Sequence, residues 1–393
     1  AAFILATSSF TIIWGRTGVI DLPLTLLTTS GLYLFANFCC QRDSSDRKSF
    51  VQHSQSPSRQ LILAYCLLGL SSLAKPAFGL ILVMLTCTAF LLIQRRVRWL
   101  FYLANPVGLA IAVLLTFAWP YLVSQQAPQV WQVWFTETVG RAVGATHYQE
   151  PFWFYTSPVL FLLAPWTPLI IAAVPNSWHR AWYQGDTRER FLWVCFLSQF
   201  LALSFSVGKS EKYILPALPP LCLIGAQKLA SLATLSSGKY RTASAKWAVY
   251  TIALSLAILA TAVVVSSHRW PELTVYWVIT ATLLGIGLSL GVYFWMQDAR
   301  ACAVWSIAGA GLACYLMIIG AVVPHFDRIR PAAQFSRQVA ALTPPEQQLI
   351  VYGLNRPPIV FYLPRQIAVE EKLAAIQRRL AGERTLYVLT SKP

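Results

Sequence analysis

Long apolar runs separated by short polar loops fill most of the chain. Runs of the roughly 17 to 25 residues needed to cross a bilayer fall near 20–38, 77–94, 99–119, 157–174, 190–207, 213–230, 247–266, 273–296 and 301–323. Residues 1–14 read as the end of another. The run 60–94 is too long for one span and is interrupted by Lys75-Pro76. A proline removes a helical donor and biases its predecessor away from the helix, so this run reads as a short helix, a turn and a second helix. The pattern predicts an all-α polytopic membrane bundle of about ten full spans plus one partial. After residue 323 the pattern changes: QQLIVYG and RTLYVLTS read as strands, and VEEKLAAIQRRLAG as an amphipathic helix stopped by Gly382. The expected division is therefore a bundle over 1–323 and a small α/β domain over 324–393.

The longest polar interruption in the bundle is the loop 120–156, bracketed by Trp119-Pro120, Trp153 and Trp166. Indole and phenol rings settle at the bilayer interface, so this loop reads as an amphipathic surface segment. Composition sharpens the picture. Of 393 residues 56% are hydrophobic and only 12% charged, roughly half the charged fraction of a soluble domain, and the mean hydropathy is +0.54. The formal charge of +16 would suggest a nucleic-acid partner in a soluble protein. Here the basic residues sit in short loops between apolar runs, so they report topology and no nucleic acid is implied. Loops 39–59, 94–98, 175–190, 231–246 and 297–300 hold most of the Lys and Arg, which makes that side cytoplasmic. The loop 120–156 and the C-terminal domain are then extracytoplasmic. The eight cysteines lie in or beside apolar runs without metal-ligand spacing and read as small core residues. The chain opens with Ala-Ala-Phe-Ile-Leu inside an apolar run, and reads as a piece whose N-terminal part is missing.

Ionisable residues at the edges of spans are functional candidates because they are costly unless they face water or a partner. On the outer side these are Arg16, Asp21, Lys75, Lys209, Glu211 and Lys212, with Glu137, Arg141, His147 and Glu150 in the long loop. Asp21 precedes Leu-Pro at the mouth of a span. It is either a helix cap or a carboxylate held at the boundary for chemistry. In SFSVGKSEKYILPALPPL, Lys209, Lys212 and Tyr213 place two cations and a phenol at headgroup depth, which suits a lipid phosphate. The alternative is snorkelling anchors. Glu137 and His147 could complete a site for a divalent metal ion, or be solvated loop residues. No P-loop, GxSxG, HExxH or dinucleotide fingerprint occurs.

Four blocks carry a resemblance: GRTGVIDLPLTLLTTSGLYLF, LLGLSSLAKPAFGLILV, ETVGRAVGATHYQEPFWFYTSPVLFLLAPWTPL and SFSVGKSEKYILPALPPLCLIGA. In order and spacing they resemble the C-type integral-membrane glycosyltransferases, in the branch of the aminoarabinose–lipid A transferase and protein O-mannosyltransferase-like enzymes. The tail NRPPIVFYLPRQI resembles that branch's outer domain. The resemblance implies transfer of a sugar from a polyprenyl-phosphate donor to a lipid, glycan or protein acceptor, at the outer face of a bacterial inner membrane. It implies a catalytic role for Asp21, donor-phosphate binding by Lys209 and Tyr213, and a closing block that contains Arg141 and His147. Lys212, Arg141 and Arg16 would share the phosphate. The family's first acidic motif is not in the chain, which begins after it, and where relatives often read Glu-His this chain has Glu137-Thr138. The rival class is a lipid or sugar transporter or flippase, which would carry charges or broken helices near the midplane. Here the charges stay at the edges.

Overall fold

A computed structural model describes residues 1–41, 57–140, 150–164, 166–234, 271–297 and 299–322. Isolated positions between 257 and 268, and 324–325, are also described, as are 332–344, 349–352, 362–363, 367–370, 373–380 and 387–390 in the C-terminal part. The contacts divide the chain into two units, Ala1–Leu316 and Met317–Pro393.

The first unit is helical. It comprises α1 (Ala2–Ala6), α2 (Ser9–Arg16), α3 (Asp21–Gln41), α4 (Pro57–Ala74), α5 (Phe78–Ile93), α6 (Trp99–Leu103), α7 (Pro106–Ser124), α8 (Val130–Phe135), α9 (Thr156–Leu162), α10 (Thr167–Trp182), α11 (Thr187–Phe205), α12 (Leu218–Thr234), α13 (Thr274–Met296) and α14 (Arg300–Met317). A π-helical turn, Thr136–Gly140, follows α8, and a 3-10 turn, Glu211–Ala217, leads into α12. Among the described residues five helical stretches are long and apolar enough to cross a membrane, and six if α9 and α10 form one broken span. Two more apolar helices, Arg59–Ala74 and α5, are shorter.

The expected ten full spans are not reached among these residues, for identifiable reasons. The run 99–119 is divided at Asn105-Pro106, where Asn105 caps α7 by accepting from the Gly108 amide at 2.8 Å and Pro106 fills its first turn, so the span is kept but begins at Pro106. The run 157–174 is cut between α9 and α10, which meet at 114°. The run 247–266 lies mostly outside the described residues. The break at Lys75-Pro76 falls where the proline places it.

Two apolar clusters hold the bundle. One joins α9 to α12 around Trp166, Leu169, Trp193 and Leu218. The other joins α3, α4 and α5 around Phe35, Tyr65 and Phe90. The N-terminal helices are tied to the first cluster, with Ser9 N–H donating to Ala164 O at 2.8 Å and Trp166 Nε1 donating to Thr7 Oγ1 at 2.8 Å. Large apolar side chains also point outward, among them Leu114 at 67% and Phe161 at 72% exposure. A water-facing surface rarely carries so much apolar area, whereas hydrocarbon accepts it. This is an integral membrane protein.

The charged ends of the bundle differ. At one end Arg190 of α11 donates to Gln94 Oε1, just after α5, and to Ala181 O, both at 3.0 Å. Buried Glu189 pairs there with Arg180 and accepts from Ser177 Oγ at 2.5 Å. At the other end lie the start of α3, the α4–α5 turn and the segment after α11. That second end contains the site.

The second unit contains β1 (Leu349–Tyr352), β2 (Ile367–Glu370) and β3 (Tyr387–Thr390) in a parallel sheet of order β2-β1-β3, with α15 (Ala332–Leu342) and α16 (Leu373–Leu380). Leu349 stands opposite Ile367 on one side and Tyr387 on the other. β2 corrects the sequence reading, in which Val369 and Glu370 open a helix. They pair with Val351 and Tyr352 instead, and the helix starts at Leu373.

Candidate functional site

The turn between α4 and α5 sets the geometry. Lys75 N–H still reaches Ser71 O at 3.1 Å, but Pro76 offers no donor, and Ala77 takes a left-handed conformation with φ 52° before α5 begins. A left-handed alanine costs roughly 1–2 kcal/mol. The packing of α4 and α5 against α3 holds it there. The turn lays the Lys75 ammonium across the start of α3, where it donates to Asp21 Oδ1.

Asp21 is fully buried. Its carboxylate accepts from Lys75 and from no α3 amide, so it is not acting as the cap. Lys212 Nζ stands 4.0 Å from Oδ2, an oxygen with no hydrogen bond of its own. The Lys75 ammonium also lies 3.6 Å from the centroid of the Tyr213 ring and 5.2 Å from that of Phe78. Such close cation–ring contacts stabilise by roughly 0.5–2 kcal/mol, more when water is excluded. Tyr213 thus serves this cluster with its ring face.

Lys212 and Tyr213 reach the cluster because α11 stops at Phe205. Ser206 turns extended, and the chain re-enters a helix through the turn Glu211–Ala217, which contains Pro216. Lys209 is only 6% exposed and donates to the Glu150 carbonyl at 2.8 Å. A snorkelling anchor keeps its ammonium in water, so that reading does not describe Lys209. It ties the end of the long loop to the segment before α12. Tyr155, next along the same stretch, is wholly buried, with the Ser210 backbone beside its hydroxyl. Burial pushes its phenol well above the ordinary range, with Tyr213 and Asp21 close enough to add to the shift. It is therefore a neutral donor.

The structure places Lys212 and Tyr213 in one cluster with Asp21, adds Lys75 and Tyr155 to it, and turns the Lys209 ammonium to the Glu150 carbonyl. Lys75 was visible as an outer-edge cation, but nothing in its spacing shows that it pairs with Asp21. Tyr155 sits in FWFY, which reads as interfacial aromatics. Arg16 lies in α2 and Glu137 in the π-helical turn, but their side chains fall outside the description. Arg141 and His147 lie outside the described residues altogether. Among the described residues no three His, Cys, Asp or Glu side chains gather as metal ligands, so the Glu137–His147 metal reading rests on atoms not described.

In this cluster the ammonium groups of Lys75 and Lys212 flank one carboxylate, and the neutral phenol of Tyr155 lies close enough to feel its charge. Such an arrangement can hold an oxyanion at the bundle end and stabilise charge that builds on it.

No protein-family model matches the chain. Curated relatives do. The chain is 30% identical over 173 residues to an undecaprenyl phosphate-alpha-4-amino-4-deoxy-L-arabinose arabinosyl transferase of Pseudomonas fluorescens, covering 44% of this chain and 31% of that protein. It is 26% identical over 310 residues to the transferase of that name from Erwinia tasmaniensis, covering 75% and 54%. The chain thus spans between about a third and a half of these relatives' own length. Among solved structures, ArnT from Cupriavidus metallidurans bound to undecaprenyl phosphate superposes with a TM-score of 0.66 at 17% identity, over 98% of this chain and 70% of that one. Its apo form gives 0.68 at 18%. Over the matched residues the chain is thus similar in sequence to undecaprenyl-phosphate aminoarabinose transferases, and its fold is similar to that of the solved ArnT.

Proposed function

We propose that the chain carries the donor-phosphate site of a membrane glycosyltransferase, which moves a sugar from a polyprenyl-phosphate donor to a lipid, glycan or protein acceptor at the outer face. The observation that carries this reading is the buried Asp21–Lys75 pair with Lys212 beside it at one bundle end. The likeness to a fold solved with undecaprenyl phosphate supports it. The relatives' names point to 4-amino-4-deoxy-L-arabinose as the sugar and an undecaprenyl carrier.

In the transfer, the bond between the anomeric carbon and the lipid phosphate breaks as the acceptor oxygen attacks from the opposite face. Negative charge grows on the leaving phosphate. Lys209 and Lys212, with Arg141, offset it through charge-assisted hydrogen bonds. Asp21 orients Lys75 and Lys212. Asp21 Oδ1 is already occupied by Lys75, and the acceptor's proton passes to the departing lipid phosphate. Tyr155, kept neutral by burial, donates to the phosphate or the sugar. The Lys/Arg distribution supports an extracytoplasmic site in the inner membrane, and the C-terminal unit on the same side.

The test is donor-lipid binding and turnover by purified full-length protein with Lys209→Gln, Lys212→Gln and Tyr155→Phe. A charge-assisted bond contributes roughly 1.5–3 kcal/mol, so each Lys variant should lose about ten- to a hundred-fold. Wild-type donor affinity in both Lys variants would refute the site.

A further inference from the structure

A second polar cavity lies at the opposite end of the bundle. It has a volume of about 100 Å³ and opens between the C-terminal halves of α10 and α12. Glu189, close to its wall through Arg180, and Phe205 near the first site are separated by most of α11, or roughly 25 Å at 1.5 Å per residue. The two sites therefore cannot hold the same phosphate group.

The donors of this cavity are arranged around one side. Arg180 forms its floor, bonded through Nη2 to Glu189 Oε1 and Gln227 Oε1. Its Nε is buried without a hydrogen-bond partner. Glu189 is fully engaged, since Ser177 Oγ also donates to it at 2.5 Å and is held by Trp193 Nε1 at 3.0 Å. The Arg180 charge is thus answered inside the protein. Lys228 lines the same cavity with no ionic partner among the described residues, and so does the Asn176 amide. One full positive charge and several N–H donors remain directed at an opening sized for a few water-sized groups. The helix ends contribute negative partial charge, but that falls off within the last turn, and Ser177 and Lys228 lie upstream of it.

We propose that this cavity binds a phosphate group at the basic end of the bundle, offered either by an anionic lipid headgroup or by free phosphate. Arg190, bonded to Gln94 and Ala181, marks the same end as the arginine-rich loop 94–98. Anionic lipid collects against such surfaces, and Lys228 sits where a headgroup meets the helix ends. The site holds the lower ends of α10 and α12 together when filled, and it does not depend on the donor site.

The experiment titrates the full-length protein in detergent with a short-chain phosphatidylglycerol, with phosphatidylcholine of the same chains, and with inorganic phosphate, reading thermal unfolding. Wild type should gain stability from phosphatidylglycerol more than from phosphatidylcholine if the source is lipid, and from inorganic phosphate alone if it is free. Lys228→Gln, which breaks no ion pair, should keep the ligand-free unfolding temperature and weaken the response about ten-fold, the loss of one charge-assisted bond. Asn176→Asp, which adds a negative charge, should weaken it at least as much. Arg188→Gln, at the same end but outside the cavity, should leave it unchanged. No response of wild type to either phosphate source overturns the proposal. So does an undiminished response in Lys228→Gln, or an equal loss in Arg188→Gln, which would mean diffuse surface attraction.

Discussion

At the scale of single residues, the site turns on a buried ion pair whose two halves come from different helices. Asp21 is almost wholly buried, and the Lys75 side chain is 17% exposed. Removing one partner of such a pair leaves a charge uncompensated and costs roughly 3–5 kcal/mol, whereas replacing both with apolar groups can be nearly neutral. Lys75→Met should therefore destabilise strongly, and Asp21→Leu/Lys75→Met should recover most of the loss in thermal unfolding without recovering turnover. Equal stability of the single and double variants would deny the coupling. Tyr213 offers a second check. Because its ring carries the Lys75 ammonium, Tyr213→Phe should keep most donor affinity in the full-length protein, while Tyr213→Leu should lower it several-fold. The reverse order would give the role to the hydroxyl. Asp21, Lys212 and Tyr213 were legible because ionisable residues at span edges stand out. The Asp21–Lys75 pairing was not, because it crosses 54 positions of chain.

At the scale of elements, close helix packing supports the turn that places Lys75. α5 carries Gly79 one residue after its start, and a Cβ there would collide with Ser71 Oγ and meet Thr28 Cγ2 at 2.6 Å. Helices α3, α4 and α5 converge at this point without room for a methyl group. Overpacking of this kind costs roughly 1–3 kcal/mol, so Gly79→Ala should lower the unfolding temperature measurably and reduce turnover through displacement of Lys75. An unchanged unfolding temperature would show that α5 can shift freely. The breaks in the helices were unevenly legible. Lys75-Pro76 was read correctly because it divided a run too long for one span. Asn105-Pro106, a cap followed by proline, carries an equally clear local signal, but it fell within a run of acceptable length and was passed over.

At the scale of the whole molecule, the two ends of the bundle carry different chemistry: ion pairs and a polar cavity around Arg180 at one, the Asp21–Lys75 cluster at the other. Orientation follows from the Lys and Arg count and is open to a direct check. In a background without native cysteines, Gln126→Cys, beyond α7 on the Asp21 end, should react with an impermeant thiol reagent in intact cells. Gln184→Cys, between α10 and α11, should react only after lysis. Labelling of Gln184→Cys from outside would invert the topology and move the site to the wrong face. By itself the sequence determined that the chain is a helical membrane protein, where its charges concentrate and which blocks resemble a glycosyltransferase, because hydropathy, proline and charge are local properties that the bilayer reads span by span. The tertiary structure alone decided which of those charges meet. Lys75, Lys212 and Tyr155 reach Asp21 from separate segments, and a buried carboxylate selects its partners by packing geometry, which no spacing along the chain encodes.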